Sequence, residues 1–353
     1  MTTTSEIAKK LGISRGTVSR VINNHPNVKE ETRKRVLEAL KASNYIPNEA
    51  ARSLVMKRDF RIAVVVFSEP KFFWKQVEYG VNSAHNELKS QGVKVEYFVT
   101  DILNPNEQLK LLEELPKQGF DAIAVAPNNP LLLVEQLDTI SASNIPVVII
   151  NVDIPTANRL CYVGCNYMHS GSLACEILAK CMNYKGNVLI LTLQEQVIAI
   201  EQRVTGFRQE LSNYGGIHID QVSRFNRLAE GVYDEVYSIL KKNPEINGIY
   251  VSFGALEQTA QAVIDANLVN NVKVVGYDLN DTIYDYMKKG AITATICHEP
   301  FNQGYFAVKI LYNYLRSGIM PNSTIMYTKL EAIFATNASY YLNEHKHLEL
   351  FHL

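Results

Sequence analysis

The spacing of hydrophobic residues divides the chain into two parts. Up to about residue 46, apolar residues recur every three or four positions, which is the period of short amphipathic helices. From residue 61 onward, short apolar or β-branched runs alternate with helical patterns, and this predicts parallel sheets covered by helices on both faces. The predicted strands are 62–67, 95–99, 122–126, 147–150, 188–191, 249–252 and 272–277. About 290 residues of this alternation are enough for two lobes.

The first part predicts three short helices around a small core. Thr3 and Glu6 have the spacing of a capping box, and Gly12 stands where a helix commonly ends. Ser14 offers the cap of a second helix. The residues expected to face inward are Val18, Val21 and Ile22 in the second helix, and Val36, Leu37 and Leu40 in a third helix over 30–43. Two short helices joined by a glycine-containing turn are typical of a helix-turn-helix, although a structural helix pair with surface arginines has the same pattern.

Charge is distributed unevenly between the two parts. The whole chain has a formal net charge of −1, but residues 1–58 contain twelve Lys or Arg and five Asp or Glu, which gives +7 there and −8 in the remainder. A basic head on a mildly acidic body is the layout of a nucleic-acid-binding module joined to a different module. A solvated charged helix accounts for part of the same excess.

Three strings in the first sixty residues resemble the lactose-repressor (LacI) family of bacterial transcription factors. The strings are 14–23, 44–48 and 50–54. By this resemblance the second helix reads the major groove, and a hinge helix capped by Asn48 enters the minor groove with Leu54 as a wedge. The implied DNA-binding residues are Thr3, Ser14, Arg15, Gly16, Thr17, Ser19, Arg20, Asn23, Asn48, Ala51 and Leu54. The family often has Ser or Thr before the third helix, where this chain has Lys29.

The body is similar to the sugar-binding fold of the same family, which periplasmic ribose-binding proteins share. The matching strings are 119–123, 145–148, 162–166, 203–207, 274–278 and 294–296. The resemblance implies two doubly wound lobes with a ligand between them, at the carboxyl ends of the strands. It also implies three crossings of the chain between the lobes, expected near Tyr162, Ala291 and Pro321.

The predicted fold class is a small all-α headpiece followed by an α/β body of the periplasmic-binding-protein type, with two doubly wound parallel-sheet lobes. The predicted parts are a helix-turn-helix headpiece (1–46), a hinge helix and linker (47–60), an effector-binding and dimerisation domain (61–335) and a C-terminal tail (336–353). Within the domain, the N-lobe is expected at about 61–162 and 291–320, and the C-lobe at about 163–290 and 321–335.

Candidate effector-binding residues lie just past the predicted strand ends. Aromatic rings suit the apolar faces of a sugar ring, and a carboxylate accepts hydrogen bonds from sugar hydroxyls. The candidates are Phe72, Phe73, Trp74, Asn151, Asp153, Arg203, Phe253, Asp278 and His298. By the resemblance, Asp278 is the acceptor of sugar hydroxyls and Arg203 is a second polar clamp. His298 replaces a glutamine common in the family, and either a cleft residue or a buried core imidazole fits this position.

Motifs of common enzyme classes are missing. The sequence has no nucleotide-binding glycine loop, no hydrolase nucleophile elbow and no zinc-protease motif, so we expect no enzymatic activity, no cofactor and no metal site. The five cysteines have no metal-ligand spacing and are expected to be reduced. Apolar runs far shorter than a membrane span and the lack of a signal peptide favour a cytoplasmic protein without a membrane partner.

These features predict a sequence-specific transcriptional regulator, by family default a repressor. It is expected to bind a pseudo-palindromic operator in double-stranded DNA as a homodimer, under the control of a small-molecule effector, foremost a carbohydrate. Two alternatives stay open. One is a DNA-binding dimer whose body no longer binds a ligand, and the other is a solute-binding protein, which the basic head disfavours.

Overall fold

In the computed structural model, the described residues of the headpiece form three helices: α1 (Thr4–Leu11), α2 (Arg15–Ile22) and α3 (Glu30–Ala42). The structure describes residues 4–22, 30–42, 59–269 and 271–342. Ile7, Val18, Val21 and Val36 pack into one buried core, as the helical spacing predicts. Gly12 follows α1 with a φ of 66°, a left-handed conformation that glycine adopts at little cost.

Leu37 departs from the predicted headpiece core. It is 51% exposed, whereas Val36 is fully buried and Ala39 and Leu40 pack partly against the core. Successive residues of an α-helix are roughly 100° apart around its axis. Once Val36 and Leu40 face inward, Leu37 therefore points to the outer side of α3.

Strands and helices alternate through the body. In chain order the strands are β1 (Phe60–Phe67), β2 (Val93–Thr100), β3 (Ala122–Val125), β4 (Val147–Ile150), β5 (Cys161–Gly164), β6 (Gly186–Leu193), β7 (Ile217–Phe225), β8 (Ile246–Val251), β9 (Lys273–Tyr277), β10 (Ala294–Cys297), β11 (Ile325–Tyr327) and β12 (Glu331–Ile333). The helices are α4 (Lys71–Leu88), α5 (Pro105–Glu114), α6 (Pro130–Ala142), α7 (Tyr167–Cys181), α8 (Ile198–Leu211), α9 (Val232–Lys242), α10 (Leu256–Asp265), α11 (Asp281–Lys288), α12 (Pro300–Ser317) and α13 (Ala338–Leu342). Each of the seven predicted strands overlaps one of these strands.

Within the described residues, the strands form two six-stranded sheets, one in each lobe. The first has the order β2-β1-β3-β4-β5-β11 with parallel neighbours throughout. The second has the order β7-β6-β8-β9-β10-β12, and its strands are parallel except for β12, which runs antiparallel to β10. Alternate residues of the central strand β1 belong to different buried clusters, Val64 on one face and Val65 on the other. The two-lobed parallel architecture is thus confirmed.

The chain crosses between the lobes three times in the described residues. The first crossing follows β5, close to the position expected near Tyr162. The second follows β10, because β10 pairs with β9 in the second sheet. The third lies between β11, which pairs with β5 in the first sheet, and β12 in the second. The last two crossings therefore lie later than the positions expected near Ala291 and Pro321.

Among the described residues, no helix has the length and apolar character that a membrane span requires. The five cysteines all lie in the described part of the chain, and all are free thiols. Burial raises the pKa of Cys165 and of Cys175 to about 12. Both therefore remain protonated at neutral pH, as expected of reduced core residues.

Candidate functional site

A cleft of about 470 Å³ lies between the two lobes, at the carboxyl ends of their strands. Open parallel sheets bind ligands in this place because several strand ends converge there. Seven of the nine predicted effector-binding residues line the cleft: Phe73, Trp74, Asn151, Arg203, Phe253, Asp278 and His298. They come from both lobes, so a ligand in the cleft would touch both at once.

The other two predicted residues lie outside this cleft. Phe72 lines a second cavity of about 290 Å³ beside it, because Phe72 precedes the cleft residue Phe73 on α4 and points to another side of the helix. Asp153 forms a bidentate ion pair with Arg159, with Oδ1–Nε and Oδ2–Nη2 distances of 2.7 Å. The structure thus pairs Asp153 with Arg159 and does not place it in the cleft lining, where the sequence interpretation expected it.

Arg203 is a buried cation in the wall of the cleft, with 6% of its surface exposed. Its guanidinium carbon lies 3.5 Å from the ring centre of Tyr277 and 5.1 Å from that of Tyr167. Its Nη1 donates to the backbone oxygen of Ser252 at 3.1 Å, and its Nε has no hydrogen-bond partner in the described structure. Buried N–H groups normally have partners, so the unpaired Nε is an exception within the buried environment of Arg203, which itself lines the cleft.

The packing of two helices places Arg203 at the cleft. Gly171 on α7 lies against the backbone oxygen of Arg203, and Gly206 on α8 lies against that of Met168. A Cβ on either glycine would collide with the oxygen that it faces. The two helices therefore approach more closely than larger residues would permit. This close packing brings the first turns of α8, with Arg203, against Tyr277 at the end of β9.

Asp278 follows β9 and is a buried carboxylate of the cleft. Its φ is 71°, and Asn151, which follows β4 in the first lobe, has a φ of 66°. Asp and Asn tolerate this left-handed conformation better than most residues. Burial raises the pKa of the Asp278 carboxyl to about 6, although the positive charge of Arg203 acts in the opposite direction.

His298 lies beside Asp278 and is 3% exposed. The His298 Nε2 to Asp278 Oδ1 distance is 3.7 Å, which is longer than a hydrogen bond. Burial lowers the pKa of the imidazole to about 3, and the charge of Arg203 acts in the same direction. His298 is therefore neutral at physiological pH. It is both a buried imidazole and a cleft residue, so the two interpretations of the sequence apply together.

Aromatic rings form the first-lobe side of the cleft. Trp74 packs edge-on against Phe67 and Phe73, with ring-centre distances of 4.6 and 4.9 Å, and its Nε1 donates to the backbone oxygen of Glu69 at 3.1 Å. Phe73 also contacts the ring of His298 at 5.0 Å. The indole and phenyl rings are thus held in place beside the polar groups.

Sequence reasoning missed several polar residues of the cleft, among them Asn128 and Tyr167. Asn128 comes shortly after β3, and its Nδ2 donates to the backbone oxygen of Asp101 at 3.2 Å, while its buried Oδ1 has no partner in the described structure. Tyr167 begins α7 just after β5 and is buried against Arg203. Asn128 could have been predicted in the same way as the other candidates, because it comes shortly after the predicted strand 122–126.

The headpiece residues are described only in part. The Ser14 Oγ accepts from the backbone N–H of Thr17 at 3.1 Å, which confirms Ser14 as a cap of α2, and the two hydroxyls lie 2.9 Å apart. Gly16 is exposed. Arg15, Ser19 and Arg20 lie on α2. The predictions for Thr3, Asn23, Asn48, Ala51 and Leu54 fall outside the described residues.

The chemistry of the cleft suits a neutral polyhydroxylated ligand. It combines a buried cationic donor, a carboxylate acceptor and fixed aromatic faces, which are the groups that bind hydroxyls and the C–H faces of sugar rings. In the described part of the chain, no group of three or more His, Cys, Asp or Glu side chains has an arrangement that could hold a metal ion.

Two family models match the chain. Residues 62–319 match the periplasmic binding protein domain, and residues 3–48 match the lacI family of bacterial regulatory proteins. The boundary between the basic head and the α/β body lies in the gap between the two matches.

Individual proteins are similar over most of the chain. Catabolite control protein A of Priestia megaterium is 23% identical over 91% of this chain and 94% of its own. The ribose operon repressor of Halalkalibacterium halodurans is 26% identical over 79% and 80%. Among solved structures, a glucose-galactose binding protein from Geobacillus stearothermophilus superposes with a TM-score of 0.72 and 28% identity, covering 80% of this chain and 99% of that one.

Proposed function

The chain belongs to the family of the periplasmic binding protein domain and carries a DNA-binding domain of the lacI family of bacterial regulatory proteins, and from this premise we propose a specific mode of action. It is a transcriptional repressor that binds a pseudo-palindromic operator as a homodimer. A carbohydrate bound in the cleft between its lobes controls the affinity for the operator. The repressor acts in the cytoplasm, without enzymatic activity of its own.

The observation that carries the proposal is the convergence of Arg203, Asp278 and Trp74 on one cleft. The three residues come from α8, the end of β9 and α4, far apart in the chain, and all line the same cavity. Burying a guanidinium and a carboxylate in the wall of one cavity is costly, and polar contacts with a ligand would offset that cost. Their presence supports a regulator that has kept ligand recognition over one that only dimerises.

The names of the relatives support the class of ligand. One relative is a ribose operon repressor, and one similar structure is a glucose-galactose binding protein. Both names refer to neutral sugars, which have the hydroxyls that the cleft residues can bind. The headpiece match favours a regulator over a solute-binding protein, because transport of a solute needs no DNA-binding domain.

Control of DNA binding follows from the position of the cleft between the lobes. A sugar that contacts Asn151 of the first lobe and Asp278 of the second favours one relative arrangement of the lobes. In a dimer, that arrangement sets the separation of the two headpieces and hence whether both recognition helices reach successive major grooves. The effector shifts this equilibrium only by the ratio of its affinities for the two states.

The test combines operator selection with effector titration. Full-length protein is used to select genomic fragments, and D-ribose, D-galactose and D-glucose are then titrated into the complex with the best fragment. We expect a fragment with inverted half-sites and a change in its affinity of about tenfold or more with one sugar. The Asp278→Asn variant should bind the fragment equally well and lose the sugar response. Equal affinity for selected and scrambled DNA would contradict the proposal.

A further inference from the structure

Gln303 is a buried residue of α12 that contacts the cleft residue His298. It has no exposed surface. Its Nε2 lies 3.1 Å from the backbone oxygen of His298 and 3.3 Å from the ring Nδ1. The Oγ1 of Thr328 donates to the same backbone oxygen at 2.9 Å. Gln303 thus touches the side of the imidazole that is opposite to Asp278.

The backbone oxygen of His298 determines how the amide of Gln303 is oriented. A carbonyl oxygen only accepts hydrogen bonds, so the NH2 of the amide must face it. The reversed amide would place Oε1 against that oxygen, and two acceptors would then repel each other. Because the NH2 also faces Nδ1, its second hydrogen makes Nδ1 an acceptor. The neutral ring then carries its proton on Nε2.

The carboxylate on the other side of the ring favours the same tautomer. The His298 Nε2 lies 3.7 Å from the Asp278 Oδ1. An N–H directed towards a carboxylate is attracted, whereas a nitrogen lone pair in that place is repelled. Burial keeps the imidazole neutral by lowering its pKa to about 3, so one ring nitrogen must lack a proton. The contact with Gln303 and the contact with Asp278 each favour the tautomer of His298 that carries its proton on Nε2 and none on Nδ1.

We propose that Gln303 is a positioning residue that holds His298 as the Nε2–H tautomer, so that His298 and Asp278 recognise one sugar hydroxyl together. The 3.7 Å gap is too long for a direct hydrogen bond, but a hydroxyl oxygen beside it reaches both atoms. That hydroxyl accepts from Nε2–H and donates to Oδ1. An ether or a fluorine at the same position cannot donate, and the pair rejects it. The recognition of a hydroxyl rests on the proposed function, whereas the tautomer does not.

Nuclear magnetic resonance of the imidazole nitrogens tests the tautomer without any ligand. Full-length protein with ¹⁵N-labelled histidine is measured at pH 7.5, and the His298→Gln variant identifies which of the eight histidine signals belongs to His298. We expect a protonated Nε2 and a bare Nδ1. A ring protonated on Nδ1, or on both nitrogens, in the wild-type protein overturns the proposal.

Substitution of Gln303 tests its role. In Gln303→Glu the carboxylate should draw the proton to Nδ1, and in Gln303→Met a fraction of the rings should carry the proton there. Gln108→Met is the matched control, because Gln108 is an equally buried glutamine whose Nε2 donates to a backbone oxygen, that of Ala126, in the first lobe. It should leave His298 unchanged. An unchanged tautomer in both folded Gln303 variants, or in Gln303→Met if the other does not fold, overturns the role of Gln303.

Calorimetric titration of D-ribose, D-galactose and D-glucose tests the hydroxyl. For the sugar that binds the wild type, Gln303→Glu should lower the affinity by about tenfold or more. Equal affinity of Gln303→Glu and the wild type overturns the recognition of a hydroxyl by this pair. If none of the three sugars binds the wild type, the result contradicts the proposed sugar function. The nuclear magnetic resonance experiment still tests the tautomer in that case.

Discussion

Arg203 and Tyr277 form a stacked pair inside the second lobe, with the guanidinium carbon 3.5 Å from the ring centre. The Tyr277 hydroxyl lies 2.8 Å from the Tyr250 hydroxyl and donates to the backbone oxygen of Ser170 at 3.2 Å. The aromatic ring is thus held by hydrogen bonds at its far end. A cation stacked on a fixed ring is restricted before any ligand arrives, which lowers the entropic cost of binding.

Replacing Arg203 by Met should weaken sugar binding by at least about tenfold, because a buried charged donor is lost. It should also raise the pKa of Asp278 further, since the Arg203 charge now lowers it. Calorimetry at pH 6 and pH 8 measures both effects. Arg224→Met is the control, because Arg224 also donates to a backbone oxygen of the second lobe, that of Leu193, but does not line the cleft. Similar losses in both variants would speak against a ligand role for Arg203.

Asp278 and His298 should make opposite contributions to the pH dependence of stability. The pKa of Asp278 is about 6 in the folded protein and about 3.9 when unfolded, so between these values the folded state binds more protons and the free energy of unfolding falls as pH rises. The pKa of His298 is about 3 when folded and about 6.5 when unfolded, so its contribution rises with pH.

Urea unfolding between pH 4 and 6 can separate these contributions. Asp278→Asn should make the free energy of unfolding rise more steeply with pH than in the wild type, by at most about 1.4 kcal/mol per pH unit. His298→Gln should change the slope in the opposite direction by a similar amount. Parallel curves for all three proteins would show that neither group titrates as its burial implies.

Trp74 should report on the cleft by its fluorescence. It is the single tryptophan of the sequence, and it lines the cavity edge-on to Phe67 and Phe73. A sugar ring placed against it changes the polarity around the indole, so emission should shift on titration. Trp74→Phe should abolish the shift and weaken binding by about threefold to tenfold. Binding by calorimetry with unchanged wild-type emission would place the sugar away from this wall.

Ser14→Ala should destabilise the headpiece by about 1 kcal/mol, because the Ser14 Oγ accepts from the first turn of α2. The loss should appear in DNA binding as a similar reduction on specific and random fragments, since it affects the fold of the whole headpiece. Asn166→Ala is the matched control, because Asn166 caps α7 in the body in the same way. That variant should bind DNA like the wild type.

Arg20→Ala should behave differently from Ser14→Ala. Arg20 lies on α2, and the family resemblance makes it a base-reading residue. Loss of a base contact should cost about 1–3 kcal/mol on the selected fragment and much less on random DNA. Fluorescence anisotropy with both DNAs at one salt concentration measures the difference. An equal loss on the two DNAs would limit Arg20 to a phosphate contact.

The sequence predicted the parts of the site that depend on strand ends, but it could not decide between neighbouring residues on one helix. Asp278 and Asn151 come directly after predicted strands. Their place at the cleft followed because ligands bind at the carboxyl ends of parallel strands. Phe72 and Phe73 are neighbours on one helix, and only the packing of α4 determines which of them faces the cleft. Asp153 carries the right charge, but Arg159 lies close enough to bind it.

No pattern in the sequence predicted the contact between Gln303 and His298. The two residues are close in the chain, yet their contact depends on where β10 ends and α12 begins. The crossing between the lobes lies at that junction, and it was expected earlier in the chain.

The order in which the lobes are completed during synthesis follows from the three crossings. The first lobe takes its strands β1 to β5 from the early part of the chain, but its α12 and β11 come from the late part. In the finished lobe Ala307, Val308 and Leu311 of α12 fill the same core as Val64 of β1. A nascent chain on the ribosome therefore exposes this core until residues 300–317 have emerged. We expect chains that terminate before this helix to aggregate or to be captured by chaperones, even though they contain the entire headpiece.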